Sequence, residues 1–303
     1  MKSKFFAMGT ALAAGVMFGN ANAAVLFSTS FDDGTDMSVI TTNAGDTTTT
    51  FGVDYSAMGI PSATGTADTT GLRIDANIAA PADAQEVLVV VDATSVTLPS
   101  SFIMSFKAWA NVSRIDGDNT TTEFIGGVAN HDGTSTGRTN GNLTIVTGDG
   151  GSATDLRTYV DGGLENDLGT GIHGPALTTF NAPDLATAGI LGTGKLAPAA
   201  QVTAGNGDTA VQDGAGAFEW IDFKAIVDGS TTMWYMNDEL IVTHEGQAAG
   251  TAGVYYGDFF SSVALNSQFQ YGIFDDLKIT DIPEPASLAL FGLGALAMIR
   301  RRK

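Results

Sequence analysis

Apolar and polar residues alternate with a period of two along much of the chain, the pattern of strands that bury one face. The clearest case is 101–110, where Phe102, Met104, Phe106 and Ala108 alternate with Ile103, Ser105, Lys107 and Trp109. Ile221, Phe223, Ala225 and Val227 repeat it up to the turn pair Asp228-Gly229. Two further strands, 231–236 and 239–244, meet at Asn237-Asp238, a pair suited to a tight hairpin. Shorter candidates lie at 24–31, 72–78, 86–92, 123–129, 143–147, 156–160, 252–256 and 269–280. No stretch between residues 24 and 282 sustains a 3.6-residue period. The census predicts an all-β, antiparallel jelly-roll sandwich of two packed sheets.

Two long segments interrupt it. Residues 35–70, rich in Thr, Gly, Asp and Ala, are expected to form a decorated loop with at most a short strand at 51–55. Residues 165–216 read as a second loop with a short helix near 184–188, an insertion or else a domain boundary.

Both chain ends depart from the alternation. Lys2 and Lys4 precede an apolar run from Phe5 to Phe18, and Ala21-Asn22-Ala23 supplies the small residues of a signal-peptide cleavage site after Ala23. At the other end stand Pro283, Glu284 and Pro285, an uncharged run from 286 to 299, then Arg300, Arg301, Arg302 and Lys303. As a helix that run would extend about 21 Å, short of the roughly 30 Å of a bilayer core. It is apolar on every side, unlike a surface helix, and the basic end would stay cytoplasmic. The expected organisation is a signal peptide at 1–23, a β-sandwich body at 24–282 and a tail at 283–303.

The tail resembles the PEP-CTERM sorting signal of Gram-negative bacteria. The resemblance implies that Pro283, Glu284 and Pro285 are recognition residues for an exosortase-type membrane protease. It also implies a transient inner-membrane anchor and delivery to the cell surface or extracellular matrix. The run from Glu219 to Gly246, with FSTSFDDGT near the start and FDDLKIT near the end, is similar to the strands of concanavalin A-like (laminin G-like) jelly rolls. In that family the first and last strands lie side by side.

Charge narrows the partners. Residues 24–282 carry 8 basic and 32 acidic side chains, a net −24. Nucleic acid and anionic membrane surfaces need clustered Lys and Arg, so neither is an expected partner. The chain has no Cys, so disulfides and thiolate metal sites are excluded.

Motifs that suggest catalysis are incomplete. Gly133-Thr134-Ser135-Thr136-Gly137 has the spacing of a nucleophile elbow but is not followed by a helix pattern. The phosphate-loop spacing from Gly189 to Lys195 ends on Leu196, where a hydroxyl is needed. Laminarinase-type hydrolases of the concanavalin A-like fold carry E-x-D-x-x-E, and Glu165-Asn166-Asp167 reaches only Thr170 at the last position. Asp116-Gly117-Asp118-Asn119 opens like a calcium loop and has Thr121 at its glycine position. His131, His173 and His244 are isolated in sequence and read as surface or half-buried residues. Trp109, Trp220 and Trp234 read as core residues, with sugar stacking as the alternative. No catalytic residue is assigned.

The one metal expectation is Ca²⁺ at Asp32, Asp33, Asp275 and Asp276, which would converge if the terminal strands pair. Solvated strand-end carboxylates are the alternative. These features suggest a non-enzymatic exported protein with a structural or polysaccharide-binding role at the surface or in the matrix. A polysaccharide hydrolase or lyase with a loop-assembled site, and a Ca²⁺-dependent adhesin, are the competing readings.

Overall fold

Two antiparallel sheets stack face to face, with the alternating apolar residues between them. The structure is a computed structural model, and it describes residues 23–79, 84–115, 123–151, 154–164, 172–173, 181–246, 248–258 and 266–282. The segment Val25–Ile282 forms one compact unit. Apart from Ala23, the signal and tail segments lie outside the described residues, as do Asp116–Asn119 and Glu165–Thr170.

The strands are β1 (Val25–Thr29), β2 (Met37–Thr41), β3 (Thr47–Asp54), β4 (Thr70–Ala76), β5 (Gln85–Val91), β6 (Ser101–Asn111), β7 (Phe124–His131) and β8 (Asn142–Thr147). They continue as β9 (Leu156–Val160), β10 (Gly163–Leu164), β11 (Ile172–His173), β12 (Trp220–Asp228), β13 (Thr231–Met236), β14 (Glu239–His244), β15 (Thr251–Asp258) and β16 (Tyr271–Thr280). The nine-stranded sheet runs β11-β14-β13-β12-β6-β16-β4-β3, with β1 also on β16. The seven-stranded sheet runs β10-β9-β8-β7-β15-β5-β2.

Alternation accounts for the packing. Burial along β13 switches at every residue, with Thr232, Trp234 and Met236 inward. In β12, Ile221, Phe223, Ala225 and Val227 are buried between the sheets. Phe106 stacks on Phe223 with ring centroids 5.2 Å apart. Each such fully buried side chain contributes about 1.5–3 kcal/mol. The hairpin turn forms as its residues imply, with Asn237 and Asp238 both left-handed at φ 47 and 67.

The loop reading of 35–70 needs correction, because β2 and β3 lie within it. Thr-rich runs are good strand formers when β-branched side chains face a neighbouring strand, and Thr47–Thr50 pairs with Arg73–Ala76 of β4. The helix expected near 184–188 is α1 (Ala182–Thr187). A second, α2 (Ala199–Thr203), follows Pro198, whose fixed φ suits a helix start.

The seven-stranded sheet is apolar on both faces. Leu88, Val90, Phe124, Val128, Leu143, Ile145, Tyr159 and Tyr255 form a second buried cluster apart from the main core. At its margin Arg138 pairs with Glu86 at 2.8 Å and lies over the Tyr159 ring.

Candidate functional site

The terminal strands do pair: β1 runs antiparallel to the second half of β16, Thr29 opposite Leu277. The first half of β16, Tyr271–Phe274, pairs instead with β4. Asp275 and Asp276 sit where β16 passes from one partner to the other. The register against β6 shifts there, between Asp275 and Lys278, and Asp276 takes φ 52. A bulge sends neighbouring side chains into different surroundings, and that separates the four expected calcium ligands.

Asp32, Asp33 and Asp276 line one open cleft of about 420 Å³ with Ser28, Thr29 and Ser30. Asp275 does not join them; it is 3% exposed and accepts a 2.7 Å bond from the Tyr55 hydroxyl. Asp32 accepts from the Ser30 hydroxyl and Asp33 from the Thr35 amide. Among the described residues, no group of three or more His, Asp or Glu stands close enough to hold a metal ion. The four-carboxylate calcium site is therefore not assembled. Burial raises the Asp275 pKa to about 6, with the Tyr55 bond opposing the shift. Bonds from the Thr35 hydroxyl and amide lower that of Asp33.

Next to this cleft, the outer face of the nine-stranded sheet carries a polar groove of about 200 Å³. It is lined by Ser105, Lys107, Asp222, Lys224, Asp238 and Asp276, along with Phe106 and Phe223, and Asp276 is shared with the neighbouring cleft. Strand periodicity builds it. Lys107 is opposite Asp222 across β6 and β12, and Lys224 is opposite Ser105, so the outward positions of adjacent strands form a grid. Lys107 bonds Asp222, and Lys224 bonds Asp238 at 3.0 Å while its ammonium lies 4.7 Å from the centre of the half-buried Tyr235 ring. Sequence reasoning had Lys107 and Asp222 on the polar phase of the alternation but assigned them no role. Their juxtaposition depends on the pairing of strands more than a hundred residues apart.

One end of the same face is closed. Trp220 packs edge-on against both Tyr55 and Trp109, at 5.3 and 5.8 Å, and donates its indole N–H to the Pro61 carbonyl. Trp109 and Trp234 are buried, so these tryptophans pack as core residues.

Other sequence candidates resolve into structural roles. Gly133–Gly137 is a loop in which the Ser135 hydroxyl donates to Asp132. Lys195 pairs with Glu219 and bonds the Ala215 carbonyl. His131 and His244, at the ends of β7 and β14, are fully buried and not surface or half-buried residues. The His131 Nδ1 accepts from the Gly133 amide.

Comparison with known proteins decides the tail. A family model described as a PEP-CTERM protein-sorting motif matches residues 281–303. The chain carries an exosortase sorting tail. It is thus an exported protein of the Gram-negative type, held transiently at the membrane and processed on the export pathway. No curated protein matches the chain.

Similar solved structures include the carbohydrate-binding module CBM66 of Bacillus subtilis, at 9% identity and TM-score 0.34, covering 70% of this chain and 87% of that one. Bacillus licheniformis β-glucanase matches at 11% and TM-score 0.37, covering 84% and 98%. A GlcNAcα1-4Gal-releasing endo-β-galactosidase of Clostridium perfringens matches at 9% and TM-score 0.42, covering 88% and 64%. At these identities none of their binding or catalytic properties transfers to this chain.

Proposed function

We propose that the processed protein is a non-enzymatic polysaccharide-binding component of the cell surface or extracellular matrix. The carrying observation is the groove over β6, β12 and β16, an open surface on a rigid sheet studded with ammonium and carboxylate groups. Such groups bond sugar hydroxyls in pairs, and their placement on strands holds them more precisely than loops would. The sorting tail supports the extracellular setting in which polysaccharide is met.

Catalysis is the less favoured reading. A glycosidase acid needs a raised pKa beside the scissile bond. Of the raised carboxyls, Glu86, Glu123 and Asp275 are buried and bonded respectively to Arg138, Asn77 and Tyr55, while half-buried Asp149 is engaged by the Gly151 amide. The test is binding of the purified protein to a panel of acidic and neutral polysaccharides, assayed together with release of reducing or unsaturated ends. Binding that weakens at least fivefold in Lys107→Ala and Lys224→Ala, with no cleavage, supports the proposal. Cleavage, or unaltered binding in both variants, overturns it.

A further inference from the structure

A second acidic group lies inside the sandwich. Glu123 immediately precedes β7, Asp258 ends β15 and Asn77 immediately follows β4, and the three are respectively 1%, 0% and 0% exposed. The Asn77 amide nitrogen donates to Glu123 Oε1 and to Asp258 Oδ2, each at 3.0 Å. The two carboxylate oxygens therefore lie no more than twice that distance apart, in surroundings where an isolated negative charge is costly. Burial and then the Asp258 charge push the Glu123 carboxyl well above the usual range.

Unpartnered atoms in this cluster call for a further ligand. The Tyr256 hydroxyl is 0% exposed and has no hydrogen-bond partner among the described residues. It lies in the core between the sheets, two positions before Asp258 on β15, and after burial the Glu123 charge is the largest electrostatic influence on it. Glu123 Oε2 and Asn77 Oδ1 are likewise without partners. An orphaned buried polar atom calls for an explanation, and two of these belong to side chains bonded to each other. Asn77 has φ 55, a left-handed conformation that asparagine tolerates and that aims its amide between the carboxylates. Amide oxygen and nitrogen exchange places by half a rotation. With Oδ1 turned inward, three oxygens from three strand ends face one point.

We propose that Glu123, Asp258 and Asn77 form an internal Ca²⁺ site, with the Tyr256 hydroxyl beside it, tying β4 of one sheet to β7 and β15 of the other. The donors are all oxygens, as a hard cation requires, and two carboxylates balance a divalent charge. The site is separate from the groove and independent of its role.

The experiment is thermal unfolding of the purified full chain in EDTA and in millimolar Ca²⁺, repeated on Glu123→Gln, Asp258→Asn and Asp276→Asn. Wild type and Asp276→Asn should gain roughly 5 °C with Ca²⁺, whereas Glu123→Gln and Asp258→Asn should gain none. In EDTA, Glu123→Gln should melt no lower than wild type, since it removes a buried charge while keeping its shape. No gain in wild type, or a gain that persists in Glu123→Gln, overturns the site; so does a gain lost only in Asp276→Asn, which would put the cation in the terminal cleft. If the interior variants do not fold, Tb³⁺ emission sensitised by tyrosine decides. The proposal predicts Ca²⁺-displaceable emission that falls at least threefold in Tyr256→Phe, and emission unchanged by that substitution overturns it.

Discussion

Two acidic groups of this protein have the same chemistry and opposite surroundings. Asp32, Asp33 and Asp276 stand around an open cleft, while Glu123 and Asp258 face each other inside the sandwich. In the cleft, water and neighbouring hydroxyls solvate each charge, so crowding costs little and the carboxylates can spread apart. Inside, neither carboxylate can move away from its strand end, and the Asn77 amide is what stands between them. Adjacent acids in sequence thus form the looser group, and acids 135 residues apart form the tighter one.

The sharpest way to break the contrast is Asn77→Gly, which removes the amide and keeps a residue at home in the left-handed backbone. In EDTA it should lower unfolding free energy by about 3 kcal/mol, the scale for taking the donor away from buried carboxyl acceptors, as read by urea denaturation. Asp32→Ala in the cleft should stay within about 0.5 kcal/mol of wild type in the same assay.

Tyr55→Phe tests the one aspartate that the bulge turns inward. Loss of the hydroxyl leaves Asp275 a buried acceptor without its 2.7 Å donor, at a cost of about 1–3 kcal/mol.

pH should separate buried Asp275 from exposed Asp33 by sign. Asp275 has a folded pKa raised from 3.8 to about 6. Its contribution to stability is therefore fully present below 3.8 and is lost as pH rises through about 6. Asp33 has a lowered pKa, so its contribution is present above its unfolded value and is lost as pH falls through the folded one. Asp275→Asn should accordingly flatten the decline in melting temperature between pH 4 and pH 6, while Asp33→Asn should flatten the decline on the acid side. If Asp275→Asn leaves the pH 4–6 profile unchanged, its burial does not act as described.

The smallest stability effect is expected in the groove. Lys224→Ala removes an exposed pair with Asp238, whose side chain is 93% accessible, and should change stability by no more than about 0.5 kcal/mol. Its effect should appear in polysaccharide binding instead.

Much of the fold was legible because strand periodicity is local. β9, β13 and β14 begin and end where the sequence pattern does, and the Asn237-Asp238 turn follows from the tolerance of those residues for positive φ. The Thr-rich first half of β3 was missed, although a short strand at 51–55 was expected, because Thr and Gly serve loops as readily as edge strands, and only pairing with β4 selects the strand. Glu123 and Asp258 showed no motif, since nothing within a few residues of either distinguishes it from the many other acids of the chain.

The sequence by itself determined the address, through Pro283-Glu284-Pro285, an apolar run and a basic end that act as a linear signal. It also determined the all-β character, because alternation commits each strand to one buried face. Only the tertiary structure decided which side chains became neighbours. It separated Asp275 from Asp276 at a change of strand partner, set Lys107 beside Asp222, and buried Glu123 against Asp258. Electrostatic cost and binding chemistry depend on distance and burial, and both are set by strand pairing between residues far apart in the chain.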